Sequence, residues 1–174
     1  MNSKVVSKIV LTALFAALVY VATSIIRYPT FGTQGYINIG DSIVLLSAWL
    51  IGYGALAAGI GSALADLLAQ YVTYVPGTFI IKFLMAIVAY LIFTALKKTN
   101  INKVVAYIVS GVVAELIMVF GYFLYESTIL GYGLAAAASI PSNAIQAGTC
   151  LVIGCIAIGI LEGAKVPNLL KKYV

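Results

Sequence analysis

Three ionisable side chains, Asp66, Lys82 and Glu115, and two amides, Asn143 and Gln146, interrupt stretches that are otherwise apolar. Polar groups in such surroundings are costly, so those that persist face a partner or a cavity. Asp66 lies about nine residues before Val75 and Lys82 about seven after it, so antiparallel helices turning there place both at similar depth. That spacing predicts a buried Asp66–Lys82 ion pair, either a brace between two helices or a ligand contact. Glu115 falls about twelve residues into its apolar segment, roughly 18 Å along a helix. There it must be neutral, paired or wetted, and proton coupling, ligand binding and a protonated packing role all stay open.

Asn143 and Gln146 are three residues apart and share a helix face, with Ser142 and Thr149 close by. Amides so placed either bond helices together or offer the paired donor and acceptor that a planar, nitrogen-containing ligand wants. Asn38 and Asp41 bracket the start of another apolar segment, where Asp41 reads as an N-cap for Ser42 onward. Tyr122, Tyr125 and Glu126 read as an interfacial belt, most clearly at Tyr125. Small residues recur at four-residue spacing, as Ala13 with Ala17 beside Ala16, and as Ala57, Gly61 and Ala65; such strips let helices approach closely.

Several chemistries are excluded. The chain has no histidine, and Cys150 and Cys155 would point about 140° apart on a helix, so they read as packing residues without metal or disulfide chemistry. No phosphate-binding glycine loop is present, so the chain cannot hydrolyse ATP by itself, and no nucleophile–base constellation supports catalysis.

The elements that must position these residues are membrane helices. Of 174 residues, 63% are hydrophobic and 9% charged, against roughly 25% charged in soluble domains. Apolar segments at about 5–26, 41–52, 54–72, 77–97, 103–125 and 139–164 predict an all-α integral membrane protein of six transmembrane helices in a single domain, 1–174. The second and third segments, joined through Gly52-Tyr53-Gly54, form either a tight hairpin or one bent element. Residues 27–40 carry turn formers and aromatics without helical periodicity and read as a loop. Lys4, Lys8, Lys97, Lys98, Lys103, Lys165, Lys171 and Lys172 fall on one side in this arrangement, and only Arg27 and Lys82 towards the other. That bias places both termini in the cytoplasm and the 27–40 loop outside. The net charge of +5 therefore reads as a topology signal rather than a nucleic-acid surface. The first segment is long and is followed by further spans, so it reads as a retained helix and not a cleaved signal.

The segments Gly35-Tyr-Ile-Asn-Ile-Gly-Asp41, Gly59-Ile-Gly-Ser-Ala-Leu-Ala-Asp66 and Tyr74-Val-Pro-Gly-Thr-Phe-Ile-Ile-Lys82, with the Asn143 and Gln146 pair, resemble the S components of energy-coupling factor (ECF) vitamin transporters. The branch they resemble is the riboflavin-type one that includes hydroxymethylpyrimidine and pyridoxine carriers. The resemblance implies a multi-pass subunit of a prokaryotic plasma membrane that captures a B-group vitamin or precursor from outside. It also implies a transmembrane coupling subunit and two cytoplasmic ABC-type ATPases as partners, with ATP used by those partners and no cofactor of its own. On the same basis Asn38, Tyr122, Asn143 and Gln146 are the expected ligand contacts with Glu115 and Lys82 behind them, and Ala13, Ala16 and Ala17 the expected docking strip. A small cavity rich in tyrosine and amides favours pyridoxine or hydroxymethylpyrimidine. The competing reading is a self-sufficient proton-coupled transporter with Asp66, Lys82 and Glu115 as its relay.

Overall fold

A computed structural model describes residues 3–30, 32–170 and 173; Lys171 and Lys172, counted above for orientation, lie outside the described residues. The fold is all-helical apart from one two-residue strand pairing. Helix α1 (Ser3–Ile25) leads through strands β1 (Tyr28–Pro29) and β2 (Tyr36–Ile37) into α2 (Gly40–Ile51), α3 (Ala55–Leu68), α4 (Val75–Lys97) and α5 (Lys103–Leu124). Then follow a π-helical turn (Tyr125–Ile129), a 3-10 helix (Gly133–Ser139), α6 (Ile140–Gly163) and the short α7 (Val166–Leu170).

Helices α1 to α6 alternate in direction between two poles. One pole gathers Lys97 at the end of α4, Lys103 at the start of α5 and Glu162 at the end of α6; Lys103 and the Tyr107 hydroxyl both bond Glu162. The other pole carries the strand hairpin, the α3–α4 turn and the π and 3-10 turns. Four stretches, within α1, α4, α5 with its π turn, and the 3-10 helix with α6, are long and apolar enough to cross a bilayer. At 12 and 14 residues α2 and α3 reach only roughly 18 and 21 Å, short of a hydrocarbon core of about 30 Å.

The short α2 is the axis of the bundle. Ten of its twelve residues are buried, whereas α1 exposes Ile9, Val10, Leu14, Leu18 and Val21. A helix apolar all round belongs at the centre of a bundle, which explains why α2 carries no polar face. Trp49 anchors its lower end by donating to Ser110 Oγ at 3.0 Å, within a stack formed by Tyr107 and Phe93 whose ring centroids lie 4.5 Å apart.

The small-residue stripe of α3 serves internal packing: Ala57, Gly61 and Ala65 are buried, with α1 running against Gly61. A Cβ on Gly61 would lie 2.4 Å from the Ala16 carbonyl oxygen, so Ala16 is part of this internal contact, while Ala13 and Ala17 remain exposed. Ala16 meets α3 through its backbone and lines the same groove as the exposed Ala13 and Ala17. The join between α2 and α3 is a tight turn between two separate helices. Gly52 has a φ of 67°, and a side chain there would strike the Tyr90 ring at 2.8 Å.

Three boundaries differ from expectation. Helix α3 stops at Leu68 instead of 72 because the chain turns through Gln70 in the left-handed region. Helix α4 begins at Val75, with Pro76 in its first turn where no N–H is needed. The loop expected over 27–40 carries a short strand pairing, Tyr28 with Ile37 and Pro29 with Tyr36, and ends at Ile39, one residue before α2 begins.

The close α1–α3 approach yields a direct comparison. Gly61→Ala should lower stability by about 1 to 3 kcal/mol, since neither backbone can give way cheaply. Gly159→Ala, with nothing within 4 Å of the new methyl, should be neutral or gain up to about 1 kcal/mol of helix propensity. Thermal unfolding of both variants in detergent measures the difference.

Candidate functional site

Segment 36–39 is non-helical yet descends into the bundle. Asn38 meets Gln146 and Cys150, which lie roughly 9 and 15 Å along α6 from its first residue. Irregular backbone at that depth must have its polar groups satisfied by protein. The Asn38 N–H donates to Gln146 Oε1 at 2.7 Å, the Asn38 carbonyl accepts from Cys150 Sγ at 3.4 Å, and the Gly40 N–H donates to Asn38 Oδ1 at 2.8 Å. The N-cap expected at Asp41 falls instead on Ile39, which makes no side-chain cap, and the first N–H of α2, that of Gly40, is met from outside the helix by Asn38.

Asp41 has another task, because the first turn of the central helix aims it at α4. Lys82 Nζ lies 2.5 Å from Asp41 Oδ1, with both side chains almost fully buried, and Gln146 Nε2 donates to Asp41 Oδ2 at 2.6 Å. The expected Asp66–Lys82 ion pair is thus corrected: Lys82 pairs with Asp41. Asp66 instead accepts from the Tyr36 hydroxyl at 2.5 Å, drawn towards the hairpin above it. Asp41, Lys82 and Gln146 together form a floor that joins α2, α4 and α6.

Above the floor is a small cavity lined by Thr30, Gly35, Tyr36, Asn38, Asp66, Tyr74, Thr78, Tyr122, Glu126 and Asn143. Its volume is about 20 Å³, room for little more than a water molecule. The tyrosines form its walls: Tyr36 packs on Tyr71 with centroids 4.7 Å apart and planes tilted by 54°, and Tyr74 lies 6.5 Å from Tyr122. Tyr122 shares a hydrogen bond of 2.9 Å with Thr78, and its ring faces Lys82 Nζ at 5.2 Å. Glu126 is buried, accepting from Tyr74 at 3.0 Å and from Ser139 at 2.6 Å. It is therefore no part of an interfacial belt; the π turn swings it inward. Burial first, then the nearby carboxylate, pushes the Tyr36 and Tyr74 phenols above their ordinary values, so both stay neutral donors.

Of the residues expected to contact a ligand, Asn38, Tyr122 and Asn143 line the cavity. Gln146 and Lys82 lie in the floor with their polar atoms engaged by Asp41 and Asn38. Glu115 is buried with neither carboxylate oxygen partnered, beside an apolar groove between α5 and α6 rather than the cavity. The Asn143 amide nitrogen is likewise buried without a partner, but within the cavity wall. Thr30, Tyr36, Tyr74, Thr78 and Glu126 escaped the sequence reading. Tyrosine clustering was the available signal, since Tyr71 and Tyr74 flank the α3–α4 turn on the same side as Tyr36 and Tyr122.

The floor makes an energetic prediction. Removing one member of a buried pair leaves a stranded charge and should cost about 3 to 5 kcal/mol for Lys82→Met or Asp41→Asn, with partial recovery in the double variant. A thermal-stability double-mutant cycle should give clear coupling for Asp41 with Lys82 and markedly less for Asp66 with Lys82.

Comparison with known proteins agrees with this architecture. The solved structure of the S component of a bacterial ECF transporter superposes with a TM-score of 0.58 at 19% identity, covering 94% of this chain and 97% of that one. A Pyrococcus woesei protein named "Uncharacterized protein in gap 3'region" is 31% identical over 138 residues, 78% of this chain and 88% of its own length. The family described as the ECF-type riboflavin transporter S component matches residues 3–162, and the chain belongs to that family.

Proposed function

We propose that this chain is the substrate-capture subunit of an ATP-driven importer, taking a small aromatic B-group vitamin or precursor, of the size of pyridoxine or hydroxymethylpyrimidine, from outside the cell. Family membership places it among substrate-binding subunits of transporters rather than enzymes. The observation that carries the reading is the polar, tyrosine-walled cavity beneath a short hairpin, at the pole opposite the lysine-rich one. In this reading all six helices α1 to α6 cross the plasma membrane, both termini are cytoplasmic, and the cavity opens outward. The transmembrane coupling subunit docks on the exposed Ala13 and Ala17 of α1, and two ABC-type ATPases act through it.

The small volume of the cavity also fits capture. The hairpin is held over it by the Tyr36–Asp66 bond and by the deep Asn38 contacts, so a ligand enters by displacing side chains of the hairpin rather than by filling a void. Mass spectrometry of the molecule that copurifies, followed by calorimetry without ATP, tests the assignment; absence of saturable binding to any B-group compound would overturn it.

A second reading has one observation in its favour. Glu115 is buried with both carboxylate oxygens unpartnered, as a proton carrier of a self-sufficient transporter would be. Uptake into liposomes under a proton gradient, with no ATPase present, would favour that reading.

Two variant experiments follow. Asn143→Ala should weaken ligand affinity by about five- to a hundredfold while leaving thermal stability near wild type, because its amide nitrogen bonds nothing within the protein. Gln146→Ala should instead lower stability, since it frees both Asp41 and the Asn38 N–H. Ala13→Trp and Ala17→Trp should preserve folding and ligand affinity but abolish ATP-driven uptake and copurification with the coupling subunit. Normal transport by the tryptophan variants would exclude this face.

A further inference from the structure

The interior of this protein is strongly unbalanced in charge. Four of its five acidic residues, Asp41, Asp66, Glu115 and Glu126, are buried to 4% exposure or less, while the fifth, Glu162, bonds Lys103 at the lysine-rich pole. Among the described residues Lys82 is the one buried basic side chain, and it is committed to Asp41. Asp66 and Glu126 line the cavity and are held by neutral hydroxyls alone at the contacts that fix them there, Tyr36 on Asp66, and Tyr74 with Ser139 on Glu126. Among the described residues no lysine or arginine lines that cavity; the nearest cations stand behind its walls, Lys82 Nζ 5.2 Å from the Tyr122 ring centroid and the exposed Arg27 6.0 Å from that of Tyr36.

Hydroxyl donors satisfy the hydrogen bonding of a carboxylate but supply no counter-charge, and burying an unneutralised charge is expensive. Three tyrosine rings, Tyr36, Tyr74 and Tyr122, share the same walls, and two of them already draw protein cations, Lys82 on Tyr122 at 5.2 Å and Arg27 on Tyr36 at 6.0 Å, which leaves Tyr74 as the ring whose π face no cation among the described residues takes. An independent feature points to a ligand as well. The Asn143 amide nitrogen is 95% buried with its residue, faces the same lining set and has no acceptor, so the ligand must bring one.

Resting on the capture function proposed above, we infer that the cavity selects an aromatic nitrogen ring that carries a positive charge when bound and presents a hydrogen-bond acceptor beside it. Asp66 and Glu126 supply the counter-charge, the tyrosines hold the ring, and Asn143 donates to the acceptor. To admit the ring, Tyr36 releases Asp66, which exchanges a neutral donor for a charged one. The same two carboxylates repel ligands bearing carboxylate or phosphate groups, so anionic vitamins are excluded by charge before size is considered.

Matched probes that differ in fixed charge test this without any variant. Purified wild-type subunit in lipid nanodiscs is titrated calorimetrically with 1-methylnicotinamide against nicotinamide, and with thiamine against its neutral oxidation product thiochrome. Riboflavin, pyridoxine, hydroxymethylpyrimidine, niacin and pantothenate are run in parallel. The cationic member of at least one pair should bind at least about tenfold tighter than its neutral partner. Asp66→Asn and Glu126→Gln, each checked for an intact thermal transition, should cut that preference to less than about threefold, chiefly by weakening the cation. If the neutral member of both pairs binds as tightly as the charged one, or if a parallel compound binds and no fixed cation does, the charge assignment is overturned and the capture function stands. If no compound in either set binds saturably, the capture function itself fails and this inference with it.

Discussion

The Lys82–Asp41 pair is the interaction on which the rest of the structure depends. A lone ammonium or carboxylate at the centre of an apolar bundle would cost several kcal/mol, so α4 and α2 are bound to bring these two residues together. Gln146 closes the arrangement by donating to the second Asp41 oxygen, which ties in α6. Because Asp41 sits in the first turn of α2, fixing its side chain fixes where α2 starts, and that in turn sets how far residues 36–39 must descend. The carbonyl oxygen of the same glutamine amide receives the Asn38 N–H, so one side chain satisfies both the ion pair and the irregular backbone above it.

A recess at one pole follows from the helix lengths. Helices α4 and α1 each run 23 residues, about 34 Å, while α2 and α3 fall well short of that. The shortfall is taken up by the hairpin at the pole that carries the cavity. Gly35 eases the fold of the hairpin on itself, since a methyl there would press on the Thr30 hydroxyl at 3.2 Å while meeting the Glu126 carboxylate at an ordinary contact distance of 3.4 Å. The polar chamber is therefore a product of α2 being shorter than its neighbours and too apolar to leave the centre.

The sequence was informative where a single physical period governs the outcome. Six apolar segments appear as six helices with ends shifted by a few residues, because unbroken apolar stretches bounded by turn formers leave the backbone little alternative to helix. Asn38, Tyr122 and Asn143 could be chosen because amides and a tyrosine inside apolar sequence demand partners. The pairing of Lys82 was not legible. Asp66 and Asp41 are both plausible partners by depth, and the choice turns on α2 being the buried axis, which depends on the packing of all its neighbours. Glu126 was misjudged for a related reason. An α-helical continuation would have left it at the rim, whereas the π turn rotates it inward to Tyr74 and Ser139. Periodicity cannot register one inserted residue per turn.

The site is built asymmetrically, and this bears on how it can work. Its floor is a buried ion pair buttressed by an amide, which resists movement because separating any member strands a charge or a polar group. Its ceiling is a hairpin with only two residues paired on each side, held down at Tyr36 by one hydrogen bond to Asp66. In the proposed reading, a ligand that takes over Asp66 removes that contact but repays it with new ones to the rings and to Asn143, so the ceiling rearranges while the floor stays fixed. Capture then needs no movement of the long helices.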